Sequence, residues 1–223
     1  MKIYFHLNLE GFSNCYLVAN TVTKEAIIID PGKVTRQIIE HIEENHYKLV
    51  ACLITHNHGS HARGLDTLRK IYTPKIFAAD YEVAGADTNV LKDDGIIKAA
   101  GFTIGYMSVP GHSPDSMCYK IGRVIFTGDS LTAGRLGSTS NSYARQNLIS
   151  NIQQKILTQQ EDTVIMPGHG PLTCVNAEKH FNLDIGCPEL NLPPVIGRNI
   201  NRVNQEPLPP NSPWRQSTGA LRS

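Results

Sequence analysis

The chain has 223 residues, with 21 Lys and Arg against 20 Asp and Glu, for a formal charge of +1. That balance creates no global field to draw in nucleic acid or an anionic membrane, so a small-molecule substrate is the expected partner. Five cysteines (Cys15, Cys52, Cys118, Cys174 and Cys187) form no C-x-x-C pair and are odd in number, which argues against a complete disulfide framework and suits a reducing cytosol.

The first residues, MKIYFHLNLEGFSNCYLVAN, alternate and are broken by Gly11, Ser13 and Asn14, so they lack the apolar core of a signal peptide. No stretch approaches the roughly 20 apolar residues of a membrane span. A cytoplasmic protein is the expectation. Short β-rich runs at 3–7, 14–20 and 26–30 read as meandering antiparallel strands. Pro31-Gly32 stops the third, and Val34, Ile38, Ile39 and Ile42 then recur at the spacing of an amphipathic helix.

LVACLIT at 49–55 is nearly all apolar, as a strand covered on both faces should be, and it runs straight into a histidine cluster. Leu65, Leu68 and Ile71 predict a helix starting near Ser60, and KIFAA at 75–79 returns as a strand. Asp80 to Asp94 is polar and carries no clear period. FTIGYMSV, SMCYKIG and RVIFTG alternate as strands of a second sheet. Ser140, Asn141 or Ser142 can cap a helix bearing Leu148, Ile149, Ile152 and Ile156. TVIMPG and NAEKHF supply a last strand and a last short helix. Two sheets packed face to face with helices outside accommodate this order.

Composition changes at Gly186. Seven of the 13 prolines follow it, with Asn191, Asn199, Asn201, Asn204 and Asn211. The chain therefore divides into a domain over 1–185 and a Pro/Asn-rich C-terminal extension over 186–223 that cannot continue a regular core. Trp214, the only tryptophan, could anchor this tail against its own domain or another subunit. Nothing in the sequence sets an oligomeric state.

Four fragments bear the chemistry: THNHGSHARG at 55–64, PGHSPDS at 110–116, FTGDS at 126–130 and MPGHGP at 166–171. An x-H-x-H turn leaving a strand can present two imidazoles to one ion, with a third histidine one helical turn on. Each later fragment puts one further potential ligand beside glycine at a strand end, so loops from parallel layers could meet at one edge. His6, His41, His46 and His180 have no such setting.

Together these fragments resemble the metal-binding motifs of the metallo-β-lactamase superfamily, across residues 1 to about 185. Within it the chain is most similar to short glyoxalase II-like (hydroxyacylglutathione hydrolase-like) hydrolases. The resemblance implies an α/β fold, the αββα four-layer sandwich. It also implies a first metal site at His56, His58 and His112, a bridging Asp129, and a second site with His61 and His169. Asp30, in IIIDPG, matches a position that supports the ligands from behind. Zn²⁺ is the expected ion, with Fe²⁺ and Mn²⁺ as alternatives for such imidazole and carboxylate donors.

The family pattern is H-x-H-x-D-H, and Ser60 stands where the aspartate belongs, at a position that ordinarily ligates the second metal and orients the attacking water. Two divalent ions bring four positive charges. Two aspartates and a hydroxide remove three of them, whereas Asp129 and a hydroxide remove only two. The excess is costly in a partly dry cleft, and serine is a poor Zn²⁺ ligand, so one tightly bound metal is expected rather than two. Ser60 could instead cap the following helix.

The expected function is hydrolysis of a small-molecule ester or thioester, with Asp129 and the Ser60 position as the catalytic candidates beside the metal. Two alternatives stand beside it. One is a mononuclear iron enzyme resembling sulfur dioxygenases, with His56, His112 and Asp129 as ligands. The other is a non-catalytic metal-binding or interaction protein that uses the tail as its recognition arm.

Overall fold

A computed structural model describes residues 1–185. The tail, Trp214 and the contacts expected of them lie outside the described residues. One six-stranded sheet runs in chain order through β1 (Lys2–Asn8), β2 (Ser13–Asn20), β3 (Glu25–Ile29), β4 (Lys48–Leu53), β5 (Lys75–Ala78) and β6 (Thr88–Val90). Its first three strands are antiparallel and its last four parallel. The other sheet orders β7 (Gly95–Ala99), β8 (Phe102–Ser108), β9 (Met117–Ile121), β10 (Val124–Gly128), β13 (Val164–Pro167) and β14 (Thr173–Cys174). Between β10 and β13 the chain forms a small hairpin, β11 (Leu131–Thr132) with β12 (Arg135–Leu136).

Strand alternation sorts the core into three sheets of contact. Leu17, Ala19, Ile28 and Cys52 face α1 (Arg36–Glu44) and α3 (Leu65–Ile71) through Ile38, Ile42, Leu65 and Leu68. Tyr16, Val18, Ile27 and Ile29 point the other way and meet Tyr119, Ile121 and Phe126 between the sheets. Cys118, Ile125 and Ile165 pack against α4 (Ser142–Asn151) and α5 (Val175–Phe181) through Leu148 and Val175. Helix, sheet, sheet, helix is thus the observed layering, as the sequence leads one to expect.

Thr35 caps α1 by accepting from the Ile38 amide, and Asn141 is the residue that caps α4, accepting from Ala144 N at 2.9 Å. The helix expected from Ser60 is instead two pieces, α2 (Gly59–Ala62) and α3. Gly64 separates them and lies so close to Pro31 that a Cβ there would sit 2.2 Å from the Pro31 carbonyl oxygen. Ser60 forms no cap: His58 occupies the cap position of α2, and the Ser60 hydroxyl makes no hydrogen bond among the described residues. The polar segment from Asp80 holds two 3-10 turns and then β6. Among the described residues no helix is long and apolar enough to cross a membrane.

Candidate metal centre

Asp30 follows β3, Thr55 and His56 follow β4, Asp129 follows β10 and His169 follows β13, while His112 lies in the loop after β8. Within each sheet these strands run parallel, and contacts among the ligand candidates bring their carboxyl ends together at one edge of the sandwich. Sequence-distant loops are thereby brought within bonding distance.

His56 Nε2 lies 3.0 Å from His58 Nδ1, which in turn lies 3.2 Å from His112 Nε2. The donor atoms of this trio all fall within 4.8 Å of one another, as do those of His56, His61 and Asp129. Asp129 Oδ2 stands 3.9 Å from His56 Nε2, 3.8 Å from His112 Nε2 and 3.4 Å from His61 Nε2.

The hydrogen bonds behind the rings decide which nitrogens are bare. Thr55 donates its hydroxyl proton to Asp30 Oδ2 at 2.7 Å, so its Oγ1 can only accept from His56 Nδ1, 3.1 Å away. His112 Nδ1 is 2.8 Å from the Ser138 carbonyl, which also can only accept. A neutral imidazole carries one N–H, so His56 and His112 both turn an unprotonated Nε2 toward His58 Nδ1. His58 Nδ1 can serve only one of them by donating a proton. Several lone pairs aimed at one point are what a cation needs.

Asp30 organises a second ligand too. Besides Thr55 Oγ1 and the Thr55 amide (2.7 Å), it accepts from His61 Nδ1 at 3.1 Å. His61 is fully buried, and its Nε2 reaches Asp129 without the alignment of a hydrogen bond, leaving a buried polar atom without a partner. That orphaned nitrogen fits an ion lying between it and Asp129. Asp30 itself is buried with φ of 51°, a left-handed backbone that aspartate tolerates better than most residues.

His169 meets the centre through Asp129: Nδ1 is 2.7 Å from Asp129 Oδ1, and Nε2 donates to the Gly11 carbonyl at 3.0 Å. The chain brings five of the six ligand candidates into the two donor clusters, and the sixth touches them by way of the shared carboxylate.

Electrostatics sort the histidines without a metal. Burial holds His56 down to about 3, and burial and then His112 lower His58, so both are neutral and ready to donate lone pairs at neutral pH. Burial also opposes charge on His61, but the Asp129 carboxylate 3.4 Å away and the bond to Asp30 outweigh it and push its pKa up to about 10. The bond to Asp129 raises His169 as well. Although burial disfavours its charge, Asp129 is held well below the usual carboxylate range by His169 and His61, and so it accepts rather than donates.

Three further groups support the centre. Thr55 and the Ser138 carbonyl set ring tautomers, and the Gly11 carbonyl holds His169. Only Thr55 was visible, as the first letter of THNH. Gly137 is a further constraint: a Cβ there would sit 1.8 Å from the Asp129 carbonyl oxygen and 3.1 Å from His112 Nδ1. Gly137→Ala should lower stability by about 1–3 kcal/mol and disturb both ligands, measured as a lower thermal midpoint with weakened metal retention.

The sequence profile described as the metallo-beta-lactamase superfamily matches residues 9–169, which take in all six ligand candidates. The chain belongs to this superfamily. A probable metallo-hydrolase of Streptococcus pyogenes serotype M6 is 30% identical over 211 residues, covering 82% of this chain and 89% of that one. A hydroxyacylglutathione hydrolase of Haemophilus influenzae is 29% identical over 195 residues, with 76% and 91% covered. Among solved structures, the B3 metallo-β-lactamase BLEG-1 superposes with a TM-score of 0.72 at 26% identity, over 82% of this chain and 99% of that one. Metallo-β-lactamase membership makes this chain a member of a metallo-hydrolase superfamily with glyoxalase II-like relatives.

Proposed function

We propose that the chain hydrolyses an ester or thioester of a small molecule with one tightly held divalent metal, Zn²⁺ first, at His56, His58 and His112. The observation that carries this reading is the pair of unprotonated Nε2 atoms of His56 and His112 facing His58 Nδ1 at 3.0 and 3.2 Å. A divalent ion held there would supply Lewis acidity, lowering the pKa of a water and polarising a carbonyl.

The remaining work falls to the chain's own groups. Thr55 and Asp30 keep His56 in its donor tautomer, and the Ser138 carbonyl does the same for His112. Asp129, ionised and 3.8–3.9 Å from both bare nitrogens, can complete the ligand set or accept a proton from substrate water, though not both at once. His169 orients Asp129 through the 2.7 Å bond. Ser60 brings no carboxylate, and the second donor cluster borrows His56, whose single free nitrogen serves one ion. Both facts favour one metal.

The thioester class rests on the hydroxyacylglutathione hydrolase relative. The alignment covers 91% of that protein. The chain, reconstituted with Zn²⁺, Fe²⁺ or Mn²⁺ in turn and offered a panel of esters and thioesters including S-lactoylglutathione, should turn over at least one thioester and lose that activity to a chelator. Metal-loaded protein inert on the whole panel would overturn the proposal.

One observation favours a second reading. His56 Nε2 and His112 Nε2 each lie within 4 Å of Asp129 Oδ2, two imidazoles and a carboxylate that match the donor set of mononuclear non-haem iron enzymes. Stoichiometric iron together with oxygen consumption in the presence of a persulfide would select it over hydrolysis.

A further inference from the structure

The loop bearing the first two ligands is secured at both ends. At its start, Asp30 accepts from the Thr55 amide and the Thr55 carbonyl accepts from Met117 N at 2.8 Å. At its end, the His58 carbonyl accepts from the amides of His61 and Ala62 as α2 begins. Between these anchors the main chain of His56 and Asn57 has one hydrogen bond among the described residues: Asn57 N–H donates to Asp115 Oδ2 at 2.7 Å. Asn57 is exposed and buries no side chain that could hold the loop instead.

We propose that Asp115 is a positioning residue that clamps the Asn57 amide and so fixes His56 and His58 with their donor nitrogens converging. This rests on the metal-centre reading above. An extended H-x-H segment sends its first and third side chains to one side, and rotation of the central peptide would splay them. A charged acceptor on that amide resists the rotation more strongly than a neutral one or water would.

The clamp also couples loops. Asp115 lies three residues beyond His112, in a turn closed by the Ser113 hydroxyl against the Ser116 hydroxyl at 2.7 Å and by Ser113 N donating to Ser116 Oγ at 3.1 Å. Holding Asn57 from this turn therefore fixes His56 and His58 relative to His112, the third member of the trio. No Lys or Arg among the described residues pairs with Asp115, so no cation competes for its carboxylate.

The test compares native protein with Asp115→Ala and Asp115→Asn, because an asparagine oxygen can still accept the amide proton. Two readouts are needed: hydrogen exchange of the Asn57 amide in metal-free protein, and Zn²⁺ affinity by competition with a chromophoric chelator. We expect exchange to be slow in the native chain and in Asp115→Asn, and fast in Asp115→Ala. Zn²⁺ affinity should fall by about 10–100-fold in Asp115→Ala and stay within several-fold of native in Asp115→Asn. Native affinity in Asp115→Ala would overturn the proposal, and so would an Asp115→Asn variant as weak as Asp115→Ala. If the exchange pattern appears but the native chain binds no Zn²⁺, Co²⁺, Fe²⁺ or Mn²⁺, the clamp stands as a loop anchor and the metal-centre reading falls.

Discussion

His56→Ala should abolish tight metal binding and lower hydrolytic activity by at least about two orders of magnitude, more than the 10–100-fold that loss of an outer partner of a metal ligand typically costs. The reason is specific to this residue. His56 is the one side chain common to both donor clusters, and it is buried, so a water in the space it vacates cannot restore a charge-free nitrogen donor to either. His58→Ala touches only the first cluster, and His58 is exposed, so its loss should be milder. Metal retention after dialysis, measured on both variants alongside a thermal melt, checks the ranking. A His58→Ala variant worse than His56→Ala would contradict it.

The second large effect is a gain. Ser60→Asp should raise tightly bound metal from about one ion per chain towards two. Ser60 is half-buried, its hydroxyl is unbonded among the described residues, and its carbonyl is held by Ser13 Oγ at 2.6 Å, so the backbone that would present the new carboxylate is already fixed. The added charge would offset the surplus positive charge of a two-ion site and would provide a donor that a hydroxyl does not. Ser60→Asn has nearly the same shape without the charge and should leave the stoichiometry unchanged. Equal gains in both variants would show that charge is not the cause.

Much of the fold is legible in the sequence because its strands alternate or run apolar. NCYLVAN, AIIID and LVACLI are buried on both faces or nearly so, and they form the centre of the first sheet. β7 is not legible in the same way: GIIKA buries one isoleucine partly and leaves Ile96 68% exposed, so an edge strand there lacks the pattern of a covered one. β6 and β14 are three and two residues long, too short for any period to register. The break between α2 and α3 depends on the approach of Gly64 to Pro31, a contact between residues 33 apart that no local pattern reports.

The centre divides in a similar way. Histidines beside strand ends mark the ligands, and Asp30 was visible through its place in IIIDPG. What the letters do not show is direction. The tautomers of His56 and His112 are set by a hydroxyl whose own proton is committed to Asp30 and by the carbonyl of Ser138, 26 residues from His112. His169 reads as a ligand like the others, yet its ring is held between Asp129 and the Gly11 carbonyl. Asp115 stands in the motif PGHSPDS with nothing in its spacing to connect it to an amide 58 residues away.

A single tightly held metal on His56, His58 and His112 is the feature on which the proposed function turns. Metal per chain should therefore be measured on the native protein by elemental analysis, after equilibrium dialysis against a range of buffered free Zn²⁺. A plateau near one ion per chain is expected, with any second ion entering only at far higher free metal. Two ions bound with comparable affinity by the native chain would contradict it.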